Sequence, residues 1–242
     1  MTSLPSLPSD LPFEGIVFDL DGTLIDSVPD LALALNALLR EEGLPPVEPA
    51  QVPGFVGQGA RILVGKAMTA VGRPVADEGA GAAELDRLHD RFVALYEAKP
   101  VEGTRPYDGA EAFLRALHAR GVRLGVCTNK PHGATLGVLE ALGLAALFDA
   151  VVGAGLIPER KPDPAPLRLA LERMGIAPEQ AVMVGDTPYD VGAARAAGVR
   201  TILVDFGYSP VPPAEVGADI LVSSYAEMPA ALARLRSVTK PA

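Results

Sequence analysis

The 242-residue chain is predicted to fold as α/β, with a parallel sheet covered by helices on both faces and a helical block inserted after the first strand. Three observations carry that prediction. An apolar run at 15–20 ends in polar turn residues, as a buried strand does. Residues 28–105 show helical periodicity and no convincing strand. From 106 onward strand-like and helix-like stretches alternate, the pattern of parallel strands joined by helices that cross over the sheet.

Taken in order, Ser27 before Val28, Pro29 and Asp30 reads as an N-cap, an early proline and a capping-box acid, so a helix starts there. Leu31, Leu35, Leu38 and Leu39 follow at helical spacing, and Gly43 stops the helix. Stretches 60–71 and 83–99 are also helical, and in the second Leu85, Leu88, Phe92, Leu95 and Tyr96 trace one face. Further helices are expected over 109–120, 132–142, 164–174, 189–197 and 225–236. Strands are expected over 122–127, 150–152, 181–184 and 201–204, with a last short one at 219–222. The chain thus divides into a catalytic core, 1–27 with 106–242, and a helical cap, 28–105, joined by loops placed to act as hinges. Residues 1–11, with repeated Pro and Ser, are expected to form an irregular, flexible arm.

Composition excludes several classes of function. Hydrophobic residues at 49% and charged residues at 21% are ordinary for a globular protein and exclude wholesale disorder. A net charge of −9 argues against nucleic-acid or anionic-membrane partners, because phosphate backbones need clustered cations. One cysteine, Cys127, allows no intrachain disulfide and fits a reducing compartment. His89, His118 and His132 share no zinc-ligand spacing. The N-terminus lacks the basic start and apolar stretch of a signal peptide, and no segment has the length of a membrane span. A cytoplasmic monomer or small homo-oligomer is expected.

Ligands of parallel α/β sheets gather at the carboxyl ends of the strands. Those ends carry Asp19 and Asp21, then Thr128, Asn129 and Lys130, then Lys161 in the Lys-Pro-Asp-Pro loop, then Asp186 with Asp190 close behind. Asp19 and Asp21, two apart, would share a face and can divide labour as nucleophile and general acid/base, although the run could also be a plain turn. Asp186 and Asp190, one helical turn apart, can face one ion; helix capping explains Asp186 equally well and Asp190 less readily. Hard carboxylate oxygens suit Mg²⁺. Thr128 is either a phosphate contact or an N-cap, and Lys161 either a surface charge or the cation that offsets this acidity. Four converging carboxylates raise one another's pKa values unless cations intervene, so the set makes sense as a Mg²⁺-dependent phosphoryl-transfer site and little sense as structure.

The runs FDLDGTLIDS at 18–27, VCTNK at 126–130, KPDP at 161–164 and VGDTPYD at 184–190 resemble the four ordered motifs of the haloacid dehalogenase-like hydrolase superfamily. The resemblance spans about 13–236, and the helical block falls where that family carries its cap. It implies a three-layer, Rossmann-like core with a parallel five-stranded sheet in the order 3-2-1-4-5. It also implies Asp19 as nucleophile, Asp21 as general acid and then base, and Lys161 as the neutralising cation. Thr128 and Asn129 would hold the transferring phosphoryl group, and Mg²⁺ would be bound by Asp19, the main-chain carbonyl of Asp21, Asp186 and, directly or through water, Asp190.

Within the superfamily, DSVPDLALALN at 26–36, FVGQGAR at 55–61, TNKP at 128–131 and RKPDPAP at 160–166 are similar to the phosphoglycolate phosphatase group. That similarity implies a small phosphorylated metabolite, 2-phosphoglycolate first among them, as substrate. Gly59 and Arg61 become candidate substrate contacts from the cap: a glycine lets backbone N–H groups approach an anion, and Arg61 could pair with a carboxylate or else sit on a solvent face. Val52-Pro53-Gly54 departs from the pattern, where a helix-compatible segment is expected. Rival readings are a pyrophosphatase, nucleotidase or sugar-phosphate mutase of the same build, and a non-catalytic phosphate-ligand-binding protein. A dehalogenase would need neither Asp21 nor a metal site, and a phosphonate hydrolase would need a Schiff-base lysine, for which only Lys66 lies near the cap loop.

Overall fold

The computed structural model describes residues 13–235 other than 100, together with 7, 8 and 11. The arm expected over 1–11 lies largely outside the described residues, as does the end of the helix expected to reach Arg236.

Six parallel strands form the central sheet: β1 (Gly15–Phe18), β4 (Arg123–Pro131), β5 (Ala150–Ala154), β6 (Ala181–Gly185), β7 (Arg200–Val204) and β8 (Ile220–Val222). Their order is β5-β4-β1-β6-β7-β8. Ranked by position along the chain, the first five follow the expected 3-2-1-4-5 order; the five-strand count implied by the resemblance is corrected to six, the added β8 being the short strand expected at 219–222, which extends the β7 edge through Ile202–Ile220 and Val204–Val222 pairing.

Alternation along each strand explains the two helical layers. Ile16 and Phe18 of β1, and Val182 and Val184 of β6, face one apolar cluster with Phe113, Leu114 and Leu117 of α4 (Ala110–His118) and with Met228 and Leu232 of α8 (Met228–Leu235). Val17 and Met183 face the other cluster, covered by Leu167, Leu171 and Met174 of α6 (Ala165–Met174) and by Ala194 and Ala197 of α7 (Pro188–Ala197). With both faces buried, the strands read as continuous apolar runs, which is why they were visible in sequence. The chain runs outward from β1 to β4 and β5, then returns to β6 on the far side of β1. That reversal leaves a crevice at the carboxyl ends of β1, β4 and β6.

Over this crevice lie α1 (Val28–Glu41), α2 (Ala60–Ala70) and α3 (Ala80–Glu97). Their buried faces are Leu31, Leu35, Leu38 and Leu39; Leu63, Val64 and Met68; and Leu85, Leu88, Phe92 and Tyr96. A 3-10 helix, Pro49–Phe55, takes in Val52-Pro53-Gly54, so the departure from the family pattern is absorbed as a tighter helix, entered through reciprocal bonds between Glu48 and Gln51.

The linkers hold two features not read from sequence. Ile25–Asp26 (β2) pairs antiparallel with Arg105–Pro106 (β3), so the chain leaves and returns side by side. A two-residue ribbon containing Pro carries no periodic signal. The capping box expected at Ser27–Asp30 is absent: Ser27 makes no side-chain cap bond, and its hydroxyl is buried without a partner. The Asp30 carboxylate instead accepts the backbone N–H groups of Glu102, Gly103 and Thr104, at 3.1, 2.7 and 2.8 Å. The acid is spent on the returning linker because that linker's donors would otherwise be stranded at a buried junction.

Asp30→Ala therefore removes three charge-assisted bonds and should lower the free energy of unfolding in urea by about 2–3 kcal/mol. A loss near 1 kcal/mol, the usual value of a helix cap, would contradict the linker assignment.

Candidate active site

The carboxyl end of β1 turns at Gly22, whose φ is +84° and where a Cβ would come within 2.3 Å of Asp186 Oδ2. Only glycine allows both the turn and that approach, so Asp19, Asp21 and Asp186 share one site. Asp19 is 6% exposed and its Oδ1 accepts the Leu20 N–H at 2.7 Å. Lys161, 2% exposed, reaches Asp19 Oδ1 at 3.0 Å and Asp190 Oδ1 at 2.6 Å. The surface-charge alternative for Lys161 is thus excluded.

Asp186 is fully buried; it accepts the Thr23 hydroxyl at 2.9 Å and the Tyr208 N–H at 2.7 Å. Asp190 Oδ2 takes the Thr187 N–H at 2.9 Å, the Thr187 hydroxyl at 2.6 Å and the Asp186 N–H at 3.3 Å. The helix-entry role considered for Asp186 therefore falls to Thr187, the N-cap of α7, and to Asp190.

Burial and charge act against each other here. Burial pushes Asp19 up to about 6, with the Lys161 ammonium pulling it down and Asp190 adding to the rise. Burial, then the neighbouring Asp190 and Asp19, raise Asp186 well above the usual carboxylate range. Burial alone would lower Lys161, but Asp19 and Asp190 outweigh it and its net shift is upward, so it stays an ammonium. The thiol of Cys127, beneath this group, is raised to about 12 by burial and is no nucleophile.

Asp19, Asp186 and Asp190 each offer a carboxylate oxygen within 4.8 Å of the others. Three buried acids against one lysine leave excess negative charge, and their hard oxygen donors fit a divalent cation of the Mg²⁺ type. Asp21 lends no carboxylate to this group: both its oxygens lie on Lys130 Nζ, at 3.0 and 3.2 Å. Any share of Asp21 in holding an ion falls to its main-chain carbonyl.

Asp19, Asp21, Thr128, Asn129 and Gly59 line one cleft between the sheet and the α1–α3 layer, so five sequence candidates converge. The Thr128 hydroxyl supports the Asp19 carboxylate. The Asn129 side chain is a brace: it donates to Gly57 O and Lys161 O, each at 3.0 Å, and accepts the Lys161 N–H at 2.9 Å. It fixes the loop that carries the buried lysine and touches the loop ahead of α2. Gly59, with φ of +94°, opens α2 against Asn129 O, which a Cβ would crowd at 3.3 Å.

Arg61 is a correction. It points away from the cleft into a surface groove, where it pairs with Asp77 and, at 2.7 Å, with Asp86. Those two carboxylates, supplied by the loop before α3 and by α3 itself, capture the guanidinium before it can turn inward.

Lys130 was noted at the end of its strand but given no role, and Tyr96 was not read as a site residue. Lys130 is 6% exposed, donates to the Tyr96 hydroxyl at 2.9 Å and lies 4.3 Å from that ring's centroid. Its place could have found it, since Lys130 follows Thr128 and Asn129 directly at the carboxyl end of β4. Tyr96 had been read only as part of the apolar face of its helix.

Residues 13–198 match the haloacid dehalogenase-like hydrolase family, and the chain belongs to it. Within that family it is similar to the phosphoglycolate phosphatase of Rhodospirillum rubrum, with 47% identity over 89% of each chain. In structure it is similar to a predicted phosphoglycolate phosphatase from Haemophilus somnus 129PT (TM-score 0.80, 32% identity, 90% of this chain and 96% of that one). It is also similar to CbbY from Rhodobacter sphaeroides in complex with phosphate (TM-score 0.71, 25% identity, 89% and 96%). No helix among the described residues is long and apolar enough to cross a membrane.

Two outcomes check this geometry. Because the fold raises the Asp186 pKa, its ionised form costs stability at neutral pH. Asp186→Asn, which can still accept from Tyr208 and donate to Thr23, should melt about 2–5 °C above the wild type in chelator and should rise less than the wild type when Mg²⁺ is added. Arg61→Ala should cost about 1 kcal/mol or less and change kcat/KM less than about threefold, because its ion pairs are on the surface.

Proposed function

We propose that the protein hydrolyses 2-phosphoglycolate to glycolate and phosphate through an aspartyl-phosphate on Asp19, with Mg²⁺ as its cofactor. A phosphoric monoester hydrolase is the class its family and relatives define. The observation that carries the reading is the separation of the two β1-end carboxylates. Asp19 faces Lys161 and the acidic cluster, while Asp21 looks into the cleft toward Lys130.

Asp19, kept ionisable by Lys161, attacks phosphorus; the bond from its oxygen forms as the bond to the leaving alkoxide breaks. Asp21 gives that alkoxide a proton, then takes one from the water that attacks phosphorus and frees Asp19. Thr128 and Asn129, which line the cleft beside Asp19, would hold the transferring oxygens, and Lys161 behind them neutralises Asp19. Asp19, Asp186, the Asp21 carbonyl and, less directly, Asp190 would hold Mg²⁺, which supplies electrostatic stabilisation of charge on phosphate. Asp190 ranks below Asp186 because the Lys161 ammonium already meets its charge, whereas Asp186 is held by the neutral donors Thr23 and Tyr208.

The α1–α3 segment acts as the cap. The cleft is lined from the sheet side by Asp19, Asp21 and Thr128 and from the helical layer by Leu31, Leu63 and Phe92. On this reading the cap opens to admit a phosphate monoester between them. Asn129 on Gly57 O, Arg160 on Gln58 O at 3.1 Å and Lys130 on the Tyr96 hydroxyl are the bonds that an opening breaks. With this activity goes a cytoplasmic location, in keeping with Cys127 as a free, buried thiol.

Asp19→Asn should lower turnover at least about 10⁴-fold while the protein remains folded by circular dichroism; retained activity would refute the nucleophile. Chelation should stop phosphate release and Mg²⁺ restore it. A metabolite panel that includes pyrophosphate, nucleotides and sugar phosphates decides the substrate, and a higher kcat/KM on any of them would displace 2-phosphoglycolate.

A further inference from the structure

Arg61, the residue expected to meet a substrate carboxylate, is held on the outer side of the helical layer by Asp77 and Asp86. That leaves the cleft with a specific electrostatic problem. Its floor presents Asp19 and Asp21, and its roof is apolar, with Leu31, Val56, Leu63 and Phe92. An anionic leaving group placed there would meet two carboxylates and hydrocarbon. Among the described residues, the one Lys, Arg or His that lines the cleft is Lys130.

We propose that Lys130, together with the Tyr96 hydroxyl, is the specificity-determining site for a carboxylate on the leaving group. This rests on the phosphatase reading above and names the part of the substrate it selects. The position fits. Lys130 Nζ is one hydrogen bond beyond Asp21, at 3.0 Å, and pairs with Asp21 while Lys161 pairs with Asp19. A two-carbon leaving group whose oxygen lies at Asp21 brings its carboxylate to that ammonium. The chemistry fits as well. The ammonium is buried, so a charge-assisted bond to it is little screened, and Tyr96 adds a hydroxyl that both accepts from Lys130 and carries a proton to donate.

Lys130 comes from β4 and Tyr96 from α3. A carboxylate bound between them touches both the core and the helical layer. Recognition of the leaving group is then completed only when the layer is closed, and an uncharged ester of the same length lacks that contact.

The experiment compares kcat/KM for 2-phosphoglycolate and for 2-hydroxyethyl phosphate, in which CH₂OH replaces the carboxylate, at saturating Mg²⁺. The wild type should prefer the carboxylate by roughly 10- to 100-fold. In K130M and K130Q that ratio should fall to within about threefold of unity, whatever loss the two substrates share, while K130R keeps a clear preference. A wild type that does not discriminate overturns the proposal without any variant. So does a folded K130M or K130Q that loses activity on both esters equally, because Lys130 would then serve only Asp21. Should neither neutral variant fold, the wild-type ratio and K130R decide: a K130R ratio at unity beside a discriminating wild type also overturns it. Failure of the phosphatase reading looks different, since the wild type would then release phosphate from neither ester nor from p-nitrophenyl phosphate.

Discussion

Lys161 lies buried between Asp19 and Asp190, and the site is arranged around that ammonium. A lysine taken out of water is stable only if its charge is met at short range, and a buried carboxylate stays ionisable only under the same condition. Each group therefore fixes the other. The loop that carries Lys161 is braced by Asn129, Asp190 is held by the first turn of α7, and Asp19 by the turn that follows β1. One charge balance thus locks the ends of three strands into register around a single point.

The same balance leaves a surplus. One lysine does not neutralise Asp19, Asp186 and Asp190, and burial, with the two neighbouring carboxylates adding to it, raises the pKa of Asp186. Such a group costs the empty protein stability and gains it back when a cation binds. The strain is local and electrostatic, and it sits at the carboxyl ends of β1 and β6.

A second ion pair, Lys130 with Asp21, stands apart from the first and is joined to the helical layer through Tyr96. On the proposed function, Lys161 marks the end that takes phosphorus and Lys130 the end that takes the group that departs. Linker geometry keeps the layer in place above them: Asp30 gathers the returning strand's N–H groups, and the β2–β3 ribbon sets the outgoing and returning chains side by side. In this state the layer is also tied to the core by Asn129 and Arg160, both of which donate to carbonyls of the loop ahead of α2.

Much of this was legible in the chain itself. Buried strands and amphipathic helices announce themselves by local periodicity, so the α/β class, the helical insertion and the order of the acidic strand ends came from spacing alone. The partner each polar group would choose did not. Asp30 has the spacing of a capping acid and binds a linker seventy-odd residues away; Arg61 has the chemistry of a carboxylate receptor and is taken by Asp77 and Asp86; Lys130 stood beside Thr128 and was passed over. The sixth strand was too short to be firm by pattern, and it is secured by pairing with β7. Local sequence determined which segments bury their side chains and where the carboxylates fall. Only the tertiary structure decided which charge meets which, because a buried ion pair is selected by distance in space and by the cost of leaving any rival unpaired.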